Sequence, residues 1–198
     1  MSLLNLSPAE FCAATKACEE GDEFALTQLT MADVWDKCPR PDWLLWIVEK
    51  LGQQPDDRTL RLFAIWCAKS TPLPDGRKTG DLLTDPRSLA ALEVAERFAD
   101  GQATGDELGA AVDAAGAAAR DATMAAAAWD AAARAAQAAR AAAWDAAGYA
   151  ARDAAWDAAE AASREAASRE AARAAAWAAQ AAHFRTLVPN PFRREAQP

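Results

Sequence analysis

A chain of 198 residues is long enough for one domain, or one domain with an appendage. Its net charge of −8 is uneven: residues 1–109 carry 19 acids against 11 bases, and residues 110–198 carry 10 of each. An acidic front half argues against general nucleic-acid binding, which needs a basic face. No apolar run is long enough to span a bilayer.

Helix-start signals come first and recur. Ser7-Pro-Ala-Glu10 has the spacing of a capping box with proline at the first helical position. Thr30-Met-Ala-Asp33 repeats it with aspartate. Pro41 opens an apolar run through Trp43, Leu44, Leu45 and Trp46 that Gly52 ends. From Asp57 to Cys67, Leu60, Phe63 and Trp66 recur at helical spacing. Trp35, Trp43, Trp46, Phe63 and Trp66 are expected in the core. Residues 71–84, rich in proline, glycine and charge, read as a loop. Asp85-Pro-Arg-Ser starts another helix, which carries Leu89, Leu92, Val94 and Phe98. Gly101 ends it, and Thr104-Gly-Asp-Glu107 caps the next.

Between Ala110 and Ala182 more than half of the residues are alanine, with no proline and only two glycines, Gly116 and Gly148. One continuous helix over that stretch would be about 110 Å long. Folding back into two to four antiparallel helices suits a compact domain better. Gly116 and Gly148 are candidate bends, and Ser163 or Ser168 a candidate cap. Acid-before-base pairs Asp130–Arg134, Glu160–Arg164 and Glu165–Arg169 fit solvated helix faces. Phe184, Leu187, Val188 and Phe192 form an apolar tail that should dock on the body, with Arg185, Arg193 and Arg194 beside it. The expected fold is all-α, an N-terminal helical bundle packed on long alanine-rich antiparallel helices. Its segments are 1–70 (helical), 71–84 (loop), 85–188 (alanine-rich bundle) and 189–198 (tail), all within one compact domain.

Catalysis finds little footing. The lone histidine, His183, cannot form a two-histidine metal site and reads as a polar group at a helix C-terminus, where a cation is favoured. No glycine-rich phosphate loop follows a strand. Cys12, Cys18, Cys38 and Cys67 lack zinc-type spacing and read as buried reduced thiols. No metal, cofactor or enzyme activity is expected. Met1–Asn5 has neither the basic start nor the cleavage pattern of a signal peptide, so a cytoplasmic location is expected.

The alanine-rich stretch also repeats Arg140-Ala-Ala-Ala-Trp144, Arg152-Asp-Ala-Ala-Trp156 and Arg173-Ala-Ala-Ala-Trp177. Four-residue spacing puts each arginine and tryptophan on one helical face. Facing a cleft, the indole stacks on a base and the guanidinium forks onto a phosphate. Aspartate follows Trp129, Trp144 and Trp156 and could accept from a ribose hydroxyl. The competing reading makes Trp129, Trp144, Trp156 and Trp177 packing anchors in an alanine scaffold.

Two segments, Asp57-Arg-Thr-Leu-Arg-Leu-Phe-Ala-Ile-Trp-Cys-Ala68 and Asp85-Pro-Arg-Ser-Leu-Ala-Ala-Leu-Glu-Val-Ala-Glu-Arg-Phe-Ala-Asp-Gly101, with the alanine-rich helices after them, resemble the alanine-rich bacterial immunity proteins of the Imm-5-like type. The resemblance spans roughly residues 55–185 and leaves out the front segment with Trp35, Trp43 and Trp46. It implies a non-catalytic helical protein that neutralises by binding, and it assigns no site residues. Together the residues favour sequestration of a small nucleotide-like signal, a counter-defence sponge, by Arg140, Trp144, Arg152, Trp156, Arg173 and Trp177. The alternatives are an immunity protein whose acidic front half caps a basic toxin protein, and a structural alanine-rich coil. Homo-oligomerisation through alanine faces fits each of them; general nucleic-acid and membrane binding fit none.

Overall fold

The structure, a computed structural model, describes residues 2–121 and 169–193. Over them the chain is all-α: α1 (Pro8–Thr15), α2 (Glu19–Leu26), α3 (Met31–Lys37), α4 (Pro41–Lys50), α5 (Asp57–Ser70), α6 (Pro86–Ala99), α7 (Gly105–Asp121) and α8 (Arg169–Leu187). Among the described residues there is no strand, only an isolated antiparallel bridge between Pro72 and Lys78. The chain divides into two compact units, Met1–Pro55 with Ala181–Pro198, and Asp56–Gln180.

In the first unit, local chemistry starts and stops the helices. Ser7 and Glu10 form a reciprocal box on α1, Ser7 N–H donating to Glu10 Oε2 at 2.9 Å and Glu10 N–H to Ser7 Oγ at 3.3 Å. Thr30 Oγ1 accepts from Asp33 N–H at the start of α3. Past α4, Gly52 takes φ +64°, and its N–H and that of Gln53 close onto the carbonyls of Glu49 and Val48 at 3.0 and 2.9 Å. That is the left-handed helix end that glycine allows. The core gathers Phe11, Val34, Trp35, Leu44, Leu45, Val48 and Phe184. The apolar tail docks as expected: Phe184 lies against Trp35 and Phe192 against Phe11, with ring centroids 6.1 and 5.9 Å apart. Arg185 Nε donates to the Trp35 carbonyl at 2.8 Å and its guanidinium to the Cys38 carbonyl, closing orphan acceptors at the end of α3. Trp43 and Trp46 are only half-buried, because α4 turns Leu44, Leu45, Ile47 and Val48 inward.

The second unit is built around Ile65, Ala68, Leu92, Ala95, Leu108 and Ala176, drawn from α5, α6, α7 and the first part of α8. Phe63 is buried and Trp66 half-buried. Residues 71–84 run as an irregular segment, exposed at 74–78, with one short 3-10 helix at Thr79–Leu82, and a few of its side chains are buried. Leu73, Leu82 and Leu83 join this core, and Thr79 N–H donates to the Thr71 carbonyl at 2.9 Å. Thr71 and Thr79 are buried and both donate through Oγ1 to the Cys67 carbonyl, at 2.7 and 3.2 Å. Gln180, also buried, donates through Nε2 to Thr71 Oγ1 at 3.0 Å. This polar knot explains why the segment belongs with α5: a buried carbonyl at a helix end needs donors. Gly116 lies buried within α7, so it does not bend the chain there. Gly148, Ser163, Ser168 and the ion pairs expected at 130–134, 160–164 and 165–169 fall outside the described side chains.

Gly80→Ala should lose about 1–3 kcal/mol in urea unfolding, the usual penalty of overpacking, because the new Cβ would stand 2.7 Å from the Lys69 carbonyl oxygen. Gly105→Ala, with open space around it, serves as the control and should lose none of this. A loss below about 0.5 kcal/mol at Gly80, the range of a neutral surface change, would show that the segment does not lie against the end of α5.

Glu10, Asp56 and Glu107 accept backbone N–H groups at helix starts, and this holds each carboxyl below its ordinary value. The stability they add is present above the ordinary carboxylate range and is lost as pH falls through their lowered values. Helicity measured by circular dichroism should stay level from neutrality down to about pH 5 and decline below about pH 4. A decline beginning near neutrality would contradict this assignment.

Candidate functional site

The expected site lies only partly within the described residues. Arg140, Trp144, Arg152 and Trp156 fall outside them, as does Trp129. Arg173 and Trp177 are described, on α8, and they pair as their spacing predicts, with Arg173 Cζ 5.1 Å from the centre of the indole. Both are half-buried. Trp177 packs on the core made by Ile65, Leu92, Leu108 and Ala176. The indole thus has one role in packing and carries its own guanidinium on a ring face. A base stacking on that face would have to displace Arg173.

The same device occurs elsewhere. Arg40 Cζ lies 4.8 Å over Trp43, Lys50 Nζ 5.8 Å over Trp46, and Arg61 Cζ 5.3 Å over Phe98. Arg40 also forks onto Asp42, with Nε–Oδ1 3.0 Å and Nη2–Oδ2 2.7 Å, and reaches Glu20 at 3.4 Å. Phe24 rests against Trp43 with centroids 5.8 Å apart, so α2 is tied to the start of α4. Sequence reading missed Arg40–Trp43. The signal was present as a three-residue spacing, but it crosses a helix start, where the four-residue rule does not apply.

Reading along the chain also missed α2, and with it a surface feature. Between α1 and α2 lies an open groove of about 560 Å³. Ala9, Cys12 and Ala13 line it from α1; Glu19, Asp22 and Leu26, at i, i+3 and i+7, line it from α2. Lys16, at the left-handed end of α1, stands between them. Leu26 is 55 % exposed, and Leu29, in the turn after α2, is 89 % exposed.

The thiols divide by burial. Cys38 and Cys12 are pushed up to about 11, each chiefly by burial, and burial pushes Cys67 well above its ordinary value. Such thiols stay protonated at neutral pH and make poor nucleophiles or ligands. Cys18 is exposed, which corrects the expectation that all four are buried: it precedes α2 and faces outward. His183 is half-buried near the end of α8, and burial lowers its basicity. Among the described residues no group of three or more histidine, cysteine or acidic side chains is placed to hold a metal ion, and no helix is long and apolar enough to cross a membrane.

No protein-family model, curated protein or solved structure matches the chain.

A thiol reagent should label Cys18 at once in the folded protein, reach Cys12, which lines the open groove, more slowly, and reach Cys38 and Cys67 only on unfolding. Cys18→Ser should abolish the fast phase. Fast labelling of Cys38 or Cys67 would show that it is not enclosed.

Proposed function

We propose that this chain is a non-catalytic binding protein of the immunity and counter-defence kind, which neutralises its target by holding it, and that the target is a protein with a basic face. The observation that carries this reading is the α2 surface. Glu19, Glu20 and Glu23 are exposed there, and Leu26 and Leu29 stand in water beside them. Acids steer a basic partner into encounter, and exposed large apolar side chains supply the area that a lasting complex must bury. The resemblance to alanine-rich immunity proteins of the Imm-5-like type supports the same reading.

One observation favours a second reading, sequestration of a nucleotide-like signal. Arg173 and Trp177 form a ready guanidinium–indole pair that is neither sealed nor fully hydrated. If the copies at Arg140–Trp144 and Arg152–Trp156 pair in the same way, the alanine-rich helices carry a row of such pairs. Against it stands the use of the same pairing at Arg40–Trp43 and Arg61–Phe98, where it joins ordinary surface packing.

Two measurements separate the readings. On the protein-target reading, cyclic and ADP-ribose-type nucleotides leave the melting temperature unchanged, and the product of a neighbouring gene co-purifies and is released by salt. Arg173→Ala then loses the cation–π contact, worth roughly 0.5–1 kcal/mol, and leaves neutralisation intact. A nucleotide that raises the melting temperature, with Arg173→Ala removing the rise, would replace this reading by the second.

A further inference from the structure

We infer that the groove between α1 and α2 is the docking site for that partner, and that the docking element is a protein segment presenting lysines or arginines around a large apolar side chain. This rests on the protein-target reading above and gives it a place and a chemistry.

Three features point to this occupant. The α1 side of the groove is alanine and cysteine, small groups that leave room for an incoming side chain. At its α2 edge Leu26 is half in water, and Leu29, in the turn after α2 and outside the lining, is almost wholly so. A leucine that exposed contributes little to folding and gains on contact with an apolar partner. An open space of about 560 Å³ takes a few side chains rather than a domain face, so the element that enters is a segment.

Charge selects among segments. Glu19 and Asp22 line the groove, and Glu20 and Glu23 flank them on the same helix. The helix start accounts for acids in its first turn, Glu19, Glu20 and Asp22. Glu23 lies beyond that turn and keeps the face negative. A second copy of this chain would bring these acids against their own kind, so self-association at this face is opposed. The complement is basic along α2. Lys16, the one base among the lining residues, marks the end where the partner need not be.

The test uses the full chain, isotope-labelled, and three synthetic amphipathic helices built from lysine and leucine, lysine and alanine, or glutamate and leucine. The lysine–leucine helix should move the amide signals of Ala13, Asp22 and Leu26, with an affinity that falls as salt rises. The lysine–alanine helix should bind about tenfold more weakly, and the glutamate–leucine helix not at all. Leu26→Ser, at a leucine that lines the groove, should weaken lysine–leucine binding about tenfold. Glu19→Lys combined with Asp22→Asn should do the same, with circular dichroism confirming that each variant folds. Equal binding of the glutamate–leucine and lysine–leucine helices, shifts away from α1 and α2, or variants that bind as the parent does would overturn the groove assignment. If the variants also hold the co-purifying protein undiminished, only the groove is lost and the protein target sits on another face. If no protein co-purifies and a nucleotide stabilises the chain, the functional reading itself fails.

Discussion

Alanine's single methyl gives a helix little to bury, and this scarcity governs how the last helix is held. Along α8 and the residue just after it the anchors are Trp177, Gln180, Phe184 and Val188, spaced three, four and four residues apart, a single stripe down one helical face. Gln180 and Phe184 are fully buried and Val188 nearly so. Beside them Ala176 and Ala181 are sealed as well. Trp177 and Gln180 serve the second unit and Phe184 and Val188 the first, so each unit keeps its end of α8 with a few large contacts. Gln180 is the unusual member. A buried amide costs free energy unless it is bonded, and its bond to Thr71 ties the stripe to the knot on the Cys67 carbonyl.

The same scarcity explains why cations sit on aromatic rings. A half-buried indole in an alanine surround has an exposed face, and a long arginine four residues away covers it with both its stem and its charge. Arg173 over Trp177 fits this. So does Arg40 over Trp43, although α4 is not alanine-rich, and there the guanidinium is also fixed by Asp42 and drawn toward Glu20. An arginine so engaged is less free to grip a phosphate than one standing alone. The Arg173–Trp177 pair is therefore explained first as a way of finishing a surface, and a ligand at that pair must compete with this role.

What the sequence made legible was whatever depends on near neighbours. The caps at Ser7, Thr30, Asp85 and Thr104 and the glycine ends at Gly52 and Gly101 need only a few residues of context, and all are found. The four-residue pairing of Arg173 with Trp177 is of the same kind. What stayed hidden depends on partners distant in the chain. Helix α2 carries a glycine, four acids and no side-chain cap, and it is held by Phe24 on Trp43 and Arg40 on Glu20. The segment 71–84 has the composition of a loop, and only its buried threonines and its contact with α5 make it part of a core. The groove exists because α1 and α2 pack as a pair, and no single stretch of sequence shows that. The other two arginine–tryptophan copies were legible as a pattern and lie outside the described residues.

The α2 acids carry two loads, and this shapes how their function is read from variants. Those in the first turn favour the helix electrostatically, and Glu20 also meets Arg40. Reversing them all would weaken α2, loosen its tie to α4 and, on the proposed reading, remove the field that draws a basic partner, so loss of binding would have three explanations. The leucines are different. Leu29 is almost fully in water and lies outside the helix, so trimming it takes little from the fold. Whatever is lost on changing Leu29 is lost from contact with something else. That residue, rather than the charges, separates a surface kept acidic for its own helix from one that receives another protein.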